Sequence, residues 1–376
     1  MSYFEKLGYT EKDIAKRIED EFNALFYGDE TVRIYHEKDD LGWLEDTGNN
    51  DVRTEGMSYG MMIAVQLDKK ELFDRLWRWV NRYMLMTSGA NAGYFRWSCF
   101  NDGRSNSEGS APDGEEFFAM ALLFAEKRWG NGTGELDYGK QARDLLTQMV
   151  HKGDPSDTSG GQPMFDPKTT YIKFVAEMAI SDPSYHVPHF YDLYAKYGNE
   201  IDRDFFKRAA VDSRDYLLKA MNAETGMAAE YANYDGTPAI VRGHDKFFSD
   251  SYRVSANIGL DWAWFGVNSA LKPRVKALQK FYKPLITLST IPVFEIDGRQ
   301  ILTGQTEDGQ DLTYVKHPLA LLSGLAQGSL ITDDENGDYF AQLLWDAKPI
   351  VGKLRYYDNL LYLFALMALG GKYNVI

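Results

Sequence analysis

The sequence predicts an all-α fold, an (α/α)6 barrel of six inner and six outer helices, and two observations predict it. Apolar residues recur at the 3.6-residue period of helices in roughly twelve segments, while strand-like alternation is rare. The segments are also of two kinds that strictly alternate: amphipathic ones with a charged face, and ones apolar almost all round. A helix of the first kind shows one face to water, and a helix of the second kind must be covered on every side. Six such pairs in succession place the apolar helices in an inner ring around an axis and the amphipathic ones in an outer ring. No repeat of 20–50 residues accompanies the pattern, so the regularity lies in hydropathy rather than identity. No Pro/Ser-rich linker divides the chain, and residues 1–376 are expected to form one domain.

The segments follow in order. The first, near 11–27, has Thr10 as N-cap with Asp13 completing a capping-box pattern, and Ile14, Ile18, Phe22 and Leu25 form its apolar stripe. Residues 54–67 (TEGMSYGMMIAVQL) are small and apolar apart from Glu55, the composition of an inner helix. The outer segments near 70–86, 137–150, 203–220, 271–283 and 337–347 each carry charges on one face. The inner segments near 114–127, 250–265, 317–328 and 356–369 are mostly apolar, and the shorter stretch 185–198 fills the remaining inner place. The stretches 237–242 and 286–303 have the most extended character.

Composition excludes several classes of function. The chain has 376 residues, 44% hydrophobic and 14% aromatic, which is ample for a large core. Its net charge of −14 and the lack of a dense Lys/Arg cluster argue against a nucleic-acid partner. No apolar run reaches the roughly 18 residues of a membrane span, so no membrane partner is expected. The N-terminus MSYFEKLGYT has no basic flank or apolar core of a signal peptide, and Cys99 is the only cysteine. These features lead to the expectation of a cytoplasmic protein, acting as a monomer. The six histidines are scattered, no HExxH, CxxC or phosphate loop occurs, and neither a metal nor a cofactor is expected.

The inner helices of such a barrel run parallel, so their N-termini gather at one face. Each brings polar residues there: Glu55, Asp113, Tyr185 with His189, Asp250 with Arg253, His317, and Tyr356 with Tyr357 and Asp358. Every one has a plainer reading. Asp113, three before Glu116, fits an N-cap; Ser249 could cap the helix carrying Asp250; Glu55 suits a helix first turn. Asp250 and Arg253 could be an i,i+3 ion pair, His317 a loop histidine, and the tyrosines core aromatics. Convergence of all six inner helices favours function, and a cap can also face a ligand. Carboxylates facing tyrosine and tryptophan across a groove describe a carbohydrate site, where aromatic faces stack on sugar rings and one carboxyl protonates a glycosidic oxygen. Trp43 and Trp97 precede inner helices and are the stacking candidates. Trp77, Trp79, Trp129, Trp262, Trp264 and Trp345 lie in or at the ends of helices and are assigned to packing.

The motifs RTEGMSYGMM, FRWSC, APDGEEFFA, SDPSYHVPHFY, FFSDSYRV and RYYDNLLYLFA, in this order over nearly the whole chain, resemble those of glycoside hydrolase family 8. The likeness is greatest to its members that release xylose from the reducing end of xylo-oligosaccharides. The resemblance implies an (α/α)6 barrel and an inverting mechanism with Glu55 as general acid and Asp250 as general base. It implies that Asp113 binds and distorts the sugar at the −1 subsite, that Tyr185 and Arg253 support the water and the base, and that Trp97 is a sugar platform. His317 would hold the reducing-end xylose, with a β-1,4-xylo-oligosaccharide as the partner. The competing readings are an endo-acting member of the family, a lyase or epimerase on the same fold, and a binding protein on an inactive barrel.

Overall fold

The computed structural model describes residues 1–376. A one-turn helix α1 (Tyr3–Lys6) leads into six outer–inner pairs: α2 (Glu11–Tyr27) with α3 (Thr54–Gln66), α4 (Lys70–Trp79) with α5 (Pro112–Trp129), α6 (Tyr138–His151) with α7 (Pro188–Tyr197), α8 (Arg203–Ala220) with α9 (Tyr252–Phe265), and α10 (Lys272–Tyr282) with α11 (Pro318–Gln327). A further one-turn helix, α12 (Ser329–Thr332), precedes the last pair, α13 (Glu335–Asp346) and α14 (Arg355–Leu369). Each inner helix packs on the next, α3 on α5, α5 on α7, α7 on α9, α9 on α11, α11 on α14, and α14 closes the ring on α3. The architecture is the (α/α)6 barrel.

Burial follows the two kinds of segment. Every residue of α3 except Glu55 is buried, and every residue of α14 except Arg355. The outer helix α2 buries Ile14, Ile18, Phe22, Leu25 and Phe26 and leaves its charged residues outside. One contiguous core runs from Tyr3 to Tyr373. The small residues of α3 admit close neighbours: a Cβ on Gly56 would lie 2.5 Å from the Tyr356 ring, and one on Gly60 would lie 2.6 Å from Leu44.

Several local expectations are corrected. Thr10 Oγ1 accepts from the Asp13 amide at 3.1 Å but donates to the Asp13 carboxylate at 2.6 Å, so the reciprocal bond joins side chains and leaves the N-cap amide out; aspartate is a methylene shorter than the glutamate of a full capping box. The helix expected over 70–86 is α-helical only to Trp79 and continues as a wider π turn over Val80–Met84, beside Asn81, whose amide donates to the Trp77 carbonyl. The inner helix expected over 185–198 starts at Pro188, a residue suited to the first helical position, after a 3-10 turn over Pro183–Tyr185. The stretches 237–242 and 286–303 form no strands, only isolated bridges such as Ala232–Pro238 and Phe294–Gln300, because neither meets a continuous partner. The strands that do form are β1 (Tyr35–Lys38) paired with β2 (Leu41–Leu44), and β3 (Asp51–Arg53) paired with β4 (Ser98–Phe100). β3 runs directly into α3, and its pairing with β4 ties the segment after Trp97 to the start of that helix.

Candidate active site

Arg253, on the first turn of α9, is the centre of the barrel mouth. Its side chain is 5% exposed. Nη1 donates to Glu55 Oε2 at 3.2 Å, to Asp113 Oδ2 at 3.0 Å and to the Tyr59 hydroxyl at 2.7 Å. Nη2 donates to Ser184 Oγ at 3.0 Å and lies 3.1 Å from Asp250 Oδ1. The guanidinium also sits 5.7 Å from the centre of the Tyr185 ring. One planar fork thus joins the starts of α3, α5 and α9 and the turn before α7. Such multidentate geometry suits arginine and not lysine.

The helix starts explain how these side chains converge. Glu55 and Asp113 are each the second residue of their helix, after Arg53 and Ala111 at the caps. Asp113 is therefore not an N-cap: Oδ2 faces Arg253, and Oδ1 accepts from the Gly114 amide at 2.9 Å. Glu116 is not a capping partner either; it is buried and accepts from the Tyr191 hydroxyl at 2.5 Å. Ser249 does not cap α9, which begins at Tyr252. Residues Ser249–Ser251 form a 3-10 turn of their own, and Asp250 sits on it. Asp182 caps the 3-10 turn that presents Tyr185 by accepting from the Ser184 amide at 2.7 Å.

Three carboxyls face one cation, and the environment separates the proton affinities of Glu55 and Asp113. Burial pushes the Glu55 carboxyl up to about 8; Arg253 opposes the shift, while Asp113 and Asp250 add to it. Burial also raises Asp113, to about 6, against the pull of Arg253 and with Asp250 again adding. The shift favours the protonated form of Glu55. Its Oε1 accepts from the Tyr356 hydroxyl at 3.1 Å. Asp250 is more open, its side chain 28% exposed against 17% for Glu55.

The other rim residues fall into two groups. Tyr357 donates to the Ser249 carbonyl at 2.8 Å and braces the Asp250 turn. His317 Nδ1 lies 2.6 Å from Asp358 Oδ2, and the ring packs edge-on against Tyr357. Asp358 also accepts from the Leu319 and Ala320 amides, each at 3.0 Å, so it caps α11 while holding His317. With Nδ1 engaged, Nε2 is the ring nitrogen left for a ligand. Trp97 lies beside the start of α3: its carbonyl accepts from the Thr54 amide, and Arg53 covers one face at 5.1 Å. Trp43 stands on β2, stacked with His36 and Trp79 and donating to Asn101, and no contact joins it to the Arg253 network. His189 is buried inside the barrel, and burial drives its imidazole to neutrality.

Sequence reasoning missed Tyr59, Ser184 and Glu230. Tyr59 is four residues after Glu55, on the same helix face, and that spacing could have found it. Ser184 adjoins Tyr185 but had no signal of its own. Glu230 lies in a loop far from any helix start.

A barrel mouth that gathers three carboxyls on one arginine among flanking aromatics fits a glycoside hydrolase. Comparison with known proteins agrees. The sequence profile described as "Glycosyl hydrolases family 8" matches residues 39–370. The reducing-end xylose-releasing exo-oligoxylanase Rex8A of Paenibacillus barcinonensis is 47% identical over 99% of this chain and 95% of its own length. The reducing end xylose-releasing exo-oligoxylanase of Bifidobacterium adolescentis is 45% identical over 99% of this chain and 96% of its own. The structure of the Paenibacillus barcinonensis protein complexed with xylose superposes with a TM-score of 0.94 at 46% identity, covering 100% of this chain and 97% of that one. The chain belongs to glycosyl hydrolase family 8.

Proposed function

We propose that this enzyme removes xylose from the reducing end of β-1,4-xylo-oligosaccharides with inversion, Glu55 serving as general acid and Asp250 as general base. The observation that carries the mechanism is the Arg253 fork: it links both carboxyls, yet leaves Glu55 protonated. Glu55 gives its proton to the glycosidic oxygen as the bond to the anomeric carbon breaks. Asp250 takes a proton from the water that attacks that carbon from the opposite face, so the new reducing end has inverted configuration. Inversion requires carboxyls about 6.5–9.5 Å apart. Carboxyls held one on Nη1 and the other on Nη2 of a single guanidinium are compatible with such a gap.

Asp113, tied to the same nitrogen as Glu55, would grip the hydroxyls of the sugar being cleaved, with Tyr185 and Arg253 supporting the water and the base. Trp97, and more remotely Trp43, would offer stacking faces. Tyr356 would orient the acid. His317 would receive the anomeric hydroxyl of the leaving xylose on Nε2; the similarity to enzymes named for reducing-end release supports this choice of substrate. The proposed setting is the cytoplasm, where a lone thiol stays reduced, with imported oligomers as substrates and the monomer as the acting species.

Xylotriose labelled at its reducing-end unit tests the polarity. Labelled xylose and unlabelled xylobiose are the expected first products. Labelled xylobiose with unlabelled xylose would overturn the proposal.

A further inference from the structure

Asp250 is not anchored by its helix. Its 3-10 turn has no side-chain cap, and α9 begins two residues later. What anchors the turn is a carboxylate from a distant loop. Glu230 Oε1 accepts from the Asp250 amide at 3.1 Å and from Ser249 Oγ at 2.9 Å. Its other oxygen, Oε2, meets His244 Nδ1 at 2.7 Å. Glu230 is 1% exposed, and these partners engage both of its carboxylate oxygens.

His244 is itself fixed. Its ring stacks on Tyr231 with centroids 4.6 Å apart, and its carbonyl accepts from the Tyr231 amide at 2.9 Å. The Glu230 amide donates to the Lys246 carbonyl at 3.0 Å. The charged neighbours of His244 are Glu230, Asp250 and Asp308; burial draws the imidazole toward neutrality, but the three carboxylates together, Glu230 foremost, outweigh it and His244 keeps its proton to higher pH than usual. On the far side of the turn, Tyr357 holds the Ser249 carbonyl. The turn is therefore clamped through its amide and hydroxyl from one side and its carbonyl from the other.

We infer that Glu230, locked by His244, is a positioning residue for the general base: it fixes the turn that aims the Asp250 carboxylate at the attacking water. Glu230 touches no reacting atom, and its effect passes through the Asp250 backbone. A base displaced by about 1 Å loses on the order of 100-fold in rate while the sugar is still bound by the rest of the cleft.

The inference rests on Asp250 being the base, and steady-state kinetics on xylotriose separate the two. Asp250→Asn tests the base: an enzyme that still turns over at the parent rate would overturn that assignment. Glu230→Ala tests the clamp, with an expected kcat loss of about 100-fold and KM within about twofold. Glu230→Gln keeps an oxygen for the Asp250 amide and Ser249, and its amide can donate to a neutral His244, so it should recover kcat to within about fivefold of the parent. His244→Ala should lower kcat in the same sense with KM unmoved; full activity would remove His244 from the clamp. Near-UV circular dichroism gives the folded fraction. The inference is overturned if Glu230→Ala keeps kcat within about threefold, if its loss merely tracks the folded fraction, or if Glu230→Gln is as impaired as Glu230→Ala.

Discussion

Two regions of this barrel pair cations with carboxylates, and they have little else in common. On the outer helix α2, Lys16 and Asp20 meet at 2.5 Å across one turn, with side chains 69% and 58% exposed. At the barrel mouth Arg253, 5% exposed, faces three carboxyls at once. Water settles the charges of the first pair whether or not they touch. At the mouth the neighbours must settle them, and one guanidinium cannot neutralise three carboxylates. Burial raises Glu55 and Asp113, Glu55 the further of the two, in the direction that the proposed general acid requires. Burial and crowding thus push an ordinary ion-pair composition toward the protonated carboxyl that the proposed mechanism needs.

Removing the donor should have the largest effect. Glu55→Gln is expected to lower kcat on xylotriose by about 10²–10⁴-fold, the worth of a general acid. Next comes the hub. Arg253→Lys keeps the charge but loses the fork, and should lower kcat by about 100-fold through misplacement of the carboxyls, with a measurable drop in Tm.

The pH profile sharpens the comparison further. In the parent, kcat/KM should fall as pH rises through about 8, where Glu55 loses its proton. Asp113→Asn removes a like charge that holds that proton on, so the alkaline limb should move to lower pH. The sign for stability follows from the same shift. Glu55 binds its proton more tightly folded than unfolded, so it costs stability as pH climbs from the unfolded value of about 4.3 toward about 8. The stability of Glu55→Gln relative to the parent should therefore grow between pH 5 and 8, as followed by urea unfolding. The outer pair marks the other extreme: Asp20→Asn should change stability by no more than about 0.5 kcal/mol and leave kcat unmoved.

Much of the mouth was legible in the sequence because ring geometry sends inner-helix starts to one place. Glu55, Asp113, Arg253, His317 and Tyr356 all stand at or within two residues of a helix start, and the alternation of apolar and amphipathic segments identified those starts. What was not legible depends on loops. Glu230 reaches Asp250 only because the segments around 230 and 245 pair with each other, and no local pattern encodes that pairing. Local rules also misassigned the caps. Asp113 and Ser249 have the chemistry of N-caps, but Arg253 claims the first and Glu230 the second. The strands were missed because elements of three or four residues are too short to show alternation, while 286–303 reads as extended and makes only isolated bridges.

The central claim is that Glu55 enters the reaction protonated, and carboxyl carbon NMR on enzyme labelled at glutamate tests it most directly. The Glu55 resonance is the one lost in Glu55→Gln. The account predicts that it titrates near 8 in the free enzyme. A midpoint at the ordinary glutamate value of about 4.3 would contradict it.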